Sequence, residues 1–520
     1  MNSDRTRVLL VAACAVAWGV LQVAVPGRFP QIDEPLFKEP GYNLARNGVF
    51  AAPAFRGYFN LDPDVSEIFA IYQPLYPALY GAWVSVFPHT FRSAVAYDAL
   101  IHLALVLTIL FGFPVLLGVS RRVAAGTALV CAFMGTLGRP DELAMVWGLL
   151  GLCAWSRWNA ALRKSRNTPV SAESSGPFHR GRLGGGAQSA IAASLLFALC
   201  GATSMPVLLI MVIWASFVWL PDLVAPGSRI RLLRMGSAVA AGTTLLLLAG
   251  LGPFYLRAGA LAQYRQHAGL FIFSGLLRSI ASGAAAPYLG IFVSGVRTNI
   301  FMYPMILPVA AAGLWIIARS AEGRWKRAAA GVLAAYGFVI LAMPEKVLYF
   351  WFLYPVLVAL TVTVIPARAA AVLLALSLVA GVNRPLRDLA KTALLPPEQR
   401  MAHQTEVLKN AVPATGSFLV DPSGYFIARR HYPGLLVGRQ DVRGALRRAD
   451  YCAWSSWYLR DVEGVDIPGS MLSAAEVLYL KAGFEKIHDG LPKRLPRLFG
   501  IPIGVEPRGY GMVLYRRRET

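Results

Sequence analysis

Long apolar runs separated by short polar stretches set the pattern of this chain. They fall at 8–25, 72–88, 93–119, 123–139, 142–156, 187–203, 205–225, 235–256, 300–318, 328–343, 347–366 and 368–383. A soluble helix carries an apolar stripe on one face, whereas a helix apolar all round over roughly 20 residues suits a bilayer core. The runs therefore predict a polytopic helical membrane domain. Several are shorter than that length, so the basic residues between them decide which cross. With Arg5 and Arg7 on the cytoplasmic side, Arg121-Arg122, the stretch from Arg157 to Arg182, Arg229, Arg231 and Arg234, and Arg319 to Arg327 share that side only if 72–88 does not cross. That run contains Pro74, Pro77 and Pro88 and reads as a helix lying at the outer surface, with 93–119 as the second span. The remaining runs alternate to give about eleven spans. The outer face then collects the 26–92 loop, the turn from Gly138 to Glu142, the 257–299 loop and Pro344-Glu345-Lys346.

Past about residue 384 the pattern changes. Short β-rich stretches such as DPSGYFIARRHYPG and YGMVLYRRR alternate with a helical SAAEVLYLKAGFEKI, which predicts a small α/β domain. The expected fold is an all-α membrane domain over 1–383, with juxtamembrane helices in its first outer loop, plus a C-terminal α/β domain over 384–520. The second lies outside the membrane if 368–383 spans. The basic, Gly/Ser-rich 157–186 stretch reads as a flexible cytoplasmic loop. The 257–299 stretch, with Arg257, Tyr264, Arg265, His267, Arg278 and Arg297, reads as a long outer loop of the functional kind.

Composition agrees. The chain is 56% hydrophobic and 15% charged with a mean hydropathy of +0.51, more apolar surface than a soluble core absorbs. A net charge of +22 raises the question of nucleic acid, but the basic residues sit between apolar runs as the positive-inside rule places them. Four of the five cysteines lie in apolar runs and Cys452 stands alone, so neither a disulfide framework nor zinc spacing is present. The first run lacks a small-residue cleavage site and reads as a retained helix.

Candidate chemistry begins at Gln31-Ile32-Asp33-Glu34-Pro35, just after the first run. Adjacent carboxylates there are costly if they slip into lipid. Pro35 suits the first position of a helix with Asp33 or Glu34 capping it, and a helix N-terminus favours an ionised carboxylate. Asp33 is thus either a cap or a base. Arg139 and Asp141, in the Gly138-Arg139-Pro140-Asp141 turn, either pair with each other or serve the same outer site. Arg265, His267 and Lys346 are cations on the outer side, read as phosphate ligands or as interfacial anchors. Asp62, Asp64 and Glu67 form either a solvated acidic loop or, with Asp33, a site for a divalent metal. Asp421, Tyr425, Trp454 and Trp457 read equally as a carbohydrate platform or as core aromatics. No GxxxxGK[ST], GxGxxG, GxSxG or HExxH pattern occurs, so nucleotide, Rossmann-cofactor, serine-hydrolase and zinc-peptidase chemistry lack support.

The opening helix, the Asp33-Glu34 pair, the amphipathic stretch ending in Arg46-Asn47-Gly48-Val49-Phe50, then Tyr72-Gln73-Pro74-Leu75-Tyr76-Pro77 and Gly138-Arg139-Pro140-Asp141 resemble the GT-C membrane glycosyltransferases. The likeness is to the branch with protein O-mannosyltransferases, aminoarabinose transferases and Rgt-like enzymes, over roughly residues 8–370 by order of elements. It implies transfer of a sugar from a polyprenyl-phosphate carrier to a glycan, lipid or protein acceptor at the outer face of a bacterial inner membrane, with inversion. By that likeness Asp33, beside Glu34, matches the catalytic aspartate and Asp141 a second acidic position. Arg139, Arg265, His267 and Lys346 would meet the donor phosphate, and Tyr72, Gln73 and Tyr349 the substrate. Tyr349 lies in Tyr349-Phe350-Trp351-Phe352, similar to the family's aromatic-rich late helix. No nucleotide cofactor is expected. One departure stands out: Gln73-Pro74-Leu75 occupies the place where the aminoarabinose branch has Lys-Pro-Pro, so either another cation meets the carrier phosphate or the donor differs. The rival readings are a transporter or lipid flippase, whose ionisable residues would sit near the bilayer midplane, whereas here only Asp98 and His102, at i and i+4, lie within the second span, and a surface-polysaccharide polymerase or ligase using diphosphate donors.

Overall fold

A computed structural model describes residues 3–24, 33–59, 61–133, 138–167, 180–224, 226–271, 306–342, 353–394, 401–438, 442–455, 474–490, 497–498, 501–502 and 512–518, with isolated positions 283, 290 and 293. Helices dominate. In chain order they are α1 (Ser3–Ala24), α2 (Asp33–Asn47), α3 (Leu75–Val86), α4 (Phe91–Leu117), α5 (Arg121–Ala132), α6 (Pro140–Asn167), α7 (Arg180–Thr203), α8 (Met205–Val224), α9 (Pro226–Tyr255), α10 (Ala260–Phe271), α11 (Ile306–Arg319), α12 (Gly323–Ala342), α13 (Tyr354–Val364), α14 (Ala367–Leu394), α15 (Met401–Ala411), α16 (Tyr425–Ala428), α17 (Val442–Arg448) and α18 (Ala474–Gly483). Strands β1 (Phe418–Val420), β2 (Leu435–Val437), β3 (Tyr451–Ser455), β4 (Phe484–Asp489) and β7 (Met512–Arg517) form one sheet, in the order β2-β1-β3-β7-β4. β1 runs parallel to β2 and β3, and β7 antiparallel to β3 and β4. β5 (Arg497–Leu498) and β6 (Ile501–Pro502) make a separate ribbon.

Among the described residues, two helical stretches are long and apolar enough to cross a bilayer, Phe91–Leu117 and Leu233–Tyr255. Shorter apolar helices are Val8–Ala24, Gln188–Thr203, Met205–Trp219, Tyr354–Val364 and Ala367–Val379. The expected count of about eleven thus rests on these shorter helices and on residues outside the description. Only 17% of the most apolar part of Leu233–Tyr255 is buried, and Leu245, Leu248 and Leu256 point outward. Water does not tolerate so continuous an apolar surface.

Local chemistry revises four of the expected segments. Among the described residues, the run expected to span at 123–139 is helical over Arg121–Ala132, 12 residues or about 18 Å of rise. The loop expected at 157–186 is helical at both ends, because Ala, Leu, Arg and Lys keep α6 wound to Asn167 after its apolar character has ended. The 257–299 loop contains α10, and α14 continues through residue 384 to Leu394.

Three buried clusters hold the molecule. The largest joins α1, α4, α5, α6, α8, α12 and α13 through Phe113, Leu149, Trp214, Val332 and Leu357. The second packs the first loop on one face of the sheet, with Phe55, Tyr58, Tyr76 and Tyr80 against Phe418, Tyr425 and Leu514. The third covers the other face with α17 and α18. Strand alternation divides the two: Phe418, Val420 and Leu514 face the first loop, while Leu419, Cys452, Trp454 and Val513 face away. Within the first loop α2 and α3 meet backbone to backbone at Gly41 and Gly81. A Cβ on Gly41 would lie 2.0 Å from the Pro77 carbonyl oxygen.

Candidate active site

Two helix N-termini converge. α2 opens with Asp33 and Glu34 in its first turn, and α6 opens on Pro140 with Asp141 and Glu142 in its own. Both pairs of acids follow the preference for carboxylates at the positive end of a helix, and Pro140 follows that for proline at the first position, whereas Pro35, expected there in α2, stands third because the helix already begins at Asp33. Arg139, immediately before α6, links them. Its Nη1 donates to Asp33 Oδ2 and its Nε donates to Asp141 Oδ2 at 3.0 Å. Ser204 Oγ, just before α8, donates to Asp141 Oδ1 at 2.8 Å. The guanidinium lies 5.2 Å from the centre of the Phe37 ring.

Exposure separates the two carboxylates. The Asp141 side chain is 3% exposed and both of its oxygens are bonded, whereas Asp33 is 33% exposed. Oδ1 of Asp33 has no hydrogen bond among the described residues. Asp33 is therefore the carboxylate with an oxygen open to its surroundings, while Asp141 is taken up by Arg139 and Ser204.

Glu34 is buried, unlike its neighbour, and its carboxyl lies against Gly138. Gly138 has φ +64°, and a Cβ there would lie 1.9 Å from Glu34 Oε1, so both conformation and space require glycine. Glu34, expected beside Asp33 in the catalytic group, packs against the turn that precedes Arg139. One helical turn on, Lys38 is fully buried and donates to Asp98 Oδ2 at 2.8 Å, while Tyr76 donates to Asp98 Oδ1 at 2.8 Å. His102 Nε2 donates to the Cys131 carbonyl at 3.0 Å, and Nδ1 faces Glu142 Oε1 at 3.2 Å. Asp98 and His102, the ionisable pair within α4, are thus both closed by partners.

An aromatic wall stands beside Asp33. Tyr72 packs edge-on against Phe37 and His267, with ring centres at 4.7 and 5.1 Å, and His267 packs in turn on Phe59. Burial, reinforced by the Asp33 charge, pushes the Tyr72 hydroxyl above the ordinary phenol range, so it stays a donor. Gln73 is buried. Arg265 and His267, read together from sequence, separate. Two residues apart on a helix point about 200° apart, so His267 is buried while Arg265 is exposed. Lys346 and Tyr349 lie outside the described residues.

The acids of the first loop do not gather with Asp33. Asp64 accepts from Gly57 N at 2.9 Å and Ser66 N at 2.8 Å, and Glu67 is exposed. Among the described residues no three His, Cys, Asp or Glu side chains converge as a metal would require, so this donor set does not fit the divalent site envisaged with Asp33. The carbohydrate platform is overturned likewise: Asp421, Tyr425 and Trp454 are fully buried, Asp421 capping the turn at Gly424. Trp457 lies outside the described residues.

This chain is similar to a solved oligosaccharyltransferase. Archaeal AglB from Archaeoglobus fulgidus, in complex with an inhibitory peptide and a dolichol-phosphate, matches at 12% identity and a TM-score of 0.46, over 87% of this chain and 69% of that one. A second structure of the A. fulgidus oligosaccharyltransferase, tethered to an acceptor peptide, matches at 12% identity and a TM-score of 0.46, over 89% and 70%. No family model and no curated protein matches the sequence.

Several residues that build the site escaped the sequence reading. Ser204 and Lys38 are two. A third group lies behind α2, where Glu39 accepts from Arg429 Nε at 3.1 and 3.0 Å and from the Tyr425 hydroxyl. His89 sits between Tyr80 and Tyr425, 3.1 Å from each hydroxyl, and stacks on Tyr42 at 4.0 Å. The Tyr425 proton goes to Glu39, so His89 Nε2 carries a hydrogen and Nδ1 accepts from Tyr80. Burial, with the Arg429 and Lys38 charges, pushes His89 down to about 3. Charges inside the otherwise apolar Leu36-Phe37-Lys38-Glu39 were a readable sign of burial, but not of partners as distant as Arg429.

Proposed function

We propose that this chain is an inverting GT-C-type glycosyltransferase of the cell envelope. In this reading it moves a sugar from a polyprenyl-phosphate to a glycan, lipid or protein acceptor at the outer face of the inner membrane. One observation carries the reading: a single partly exposed carboxylate, Asp33, is aimed by an arginine that is itself locked to a buried carboxylate. The apolar outer surfaces of the helices supply the membrane setting. The division into a membrane domain over 1–383 and an outer α/β domain over 384–520 belongs to the same proposal.

The acceptor hydroxyl donates to Asp33 Oδ1 and, as the proton passes to the carboxylate, its oxygen attacks the anomeric carbon from the face opposite the phosphate. The bond between that carbon and the phosphate oxygen breaks. The leaving group is a phosphate monoester with a second pKa of about 6, so it departs without a general acid. The charge it gathers needs a cation. Arg265 and Lys346, on the side of the sugar away from Asp33, are the cations proposed to meet it in place of the lysine missing at Gln73-Pro74-Leu75, while Arg139 holds the Asp33 carboxylate. Tyr72 and His267 offer aromatic surface and polar atoms to the sugar. Transport is disfavoured because Asp98 and His102 are both held by partners rather than facing a path.

The test is turnover of a panel of polyprenyl-phosphate sugars by the purified protein, comparing wild type with Asp33→Asn. Wild type should consume one donor, and the variant should bind that donor but react about 10²-fold more slowly or worse. Equal rates in the two proteins, or no donor consumed, would overturn the reading.

A further inference from the structure

A cavity of about 410 Å³ lies between α4, α6 and α7, within the roughly 300–1,000 Å³ typical of ligand sites. Its walls are one face of α4 (Leu107, Phe111, Val115) and one face of α6, where Leu150, Cys153, Ala154 and Arg157 follow at spacings of three and four. Gly112 opens the space, since a Cβ there would already meet Cys153 Sγ at 3.0 Å. Phe111 is 59% exposed, so the cleft opens sideways to the medium around the helices.

Its position and charge are informative. Asp141 and Arg157 are 16 residues apart on α6, about 24 Å of rise, so the cleft lies at the opposite end of the helices from Asp33. Arg157 is the one charged residue of the lining; it is exposed, and no carboxylate pairs with it among the described residues. Trp155, Trp158 and Trp219 pack together at its level, with ring centres 5.6 and 6.3 Å apart, as an aromatic belt does at a membrane interface. Arg121 and Arg122, just past the end of α4, are exposed too. An apolar slot ending in an unpaired guanidinium at headgroup level is complementary to a lipid with a negative phosphate.

We infer that this cleft binds an anionic phospholipid of the leaflet opposite the Asp33 site, with an acyl chain between α4 and α6 and its phosphate on Arg157. The inference rests on the membrane setting and is independent of the sugar-transfer reaction. Native mass spectrometry of the detergent-purified protein, titrated with phosphatidylglycerol or phosphatidylcholine of identical chains, tests it. Wild type should retain phosphatidylglycerol about fivefold better, the preference expected of one basic residue near the headgroup. Arg157→Gln should abolish the preference, and because Arg157 is exposed that variant should fold. Ala154→Trp, which fills the slot, should weaken both lipids while leaving the melting temperature near that of wild type. Equal binding of the two lipids by wild type, an unchanged preference in Arg157→Gln, or displacement of phosphatidylglycerol by an equimolar polyprenyl phosphate would each overturn the assignment.

Discussion

At the scale of residues, the site depends on one guanidinium making two different bonds. Arg139 reaches Asp33 through Nη1 and Asp141 through Nε, a fork that a lysine cannot reproduce with a single ammonium. Arg139→Lys should therefore keep the charge and lose the aim. On the proposed reaction its kcat should fall about 10²-fold while KM changes little, since a misplaced catalytic group costs on that order. A rise in KM alone would instead assign Arg139 to uniform binding of the donor. That Asp33 and Asp141 stand at the starts of helices was legible, because acids and proline there carry a sequence signature. Their difference in burial was not. Glu34 shows why: it lies next to Asp33 in sequence yet is sealed against Gly138.

Between elements, the buried Lys38 to Asp98 pair joins α2 to α4 beneath the site. Removing one partner leaves an uncompensated buried charge, which costs about 3–5 kcal/mol, whereas replacing both by apolar groups of similar volume is close to neutral. Lys38→Met should thus lower the melting temperature sharply, and the Lys38→Met, Asp98→Leu double variant should recover most of it. A double variant no more stable than the single one would mean that the pair is needed for more than mutual neutralisation. Helix positions were largely readable from apolar runs. Helix lengths were less so, because α6 outlasts its apolar stretch. Propensity and packing set those ends, and neither follows the hydropathy that marked the runs.

The whole molecule is tied together where the first loop meets the C-terminal sheet, through Glu39, Arg429, Tyr425 and His89. His89 is neutral in the folded state, with its pKa lowered to about 3 from an ordinary 6.5. Its contribution is fully present above about pH 6.5 and is lost as pH falls toward 3, because only the unfolded chain takes up the proton in that window. The slope is at most about 1.4 kcal/mol per pH unit. Thermal melts between pH 7.5 and 5 should show stability falling with acid, and His89→Phe should flatten that dependence. An equal slope in both proteins would place the linkage elsewhere. His431 and His488, nearer the surface and also lowered, contribute in the same direction.

Sequence alone determined the helical character, the change of pattern toward the C-terminus and the helix-end acids, since each is written in local periodicity and composition. Tertiary structure decided which acid is exposed, that the C-terminal aromatics are core, and that Glu39 meets Arg429 across 390 positions. Burial and long-range pairing depend on which surfaces meet, and no local pattern carries that information.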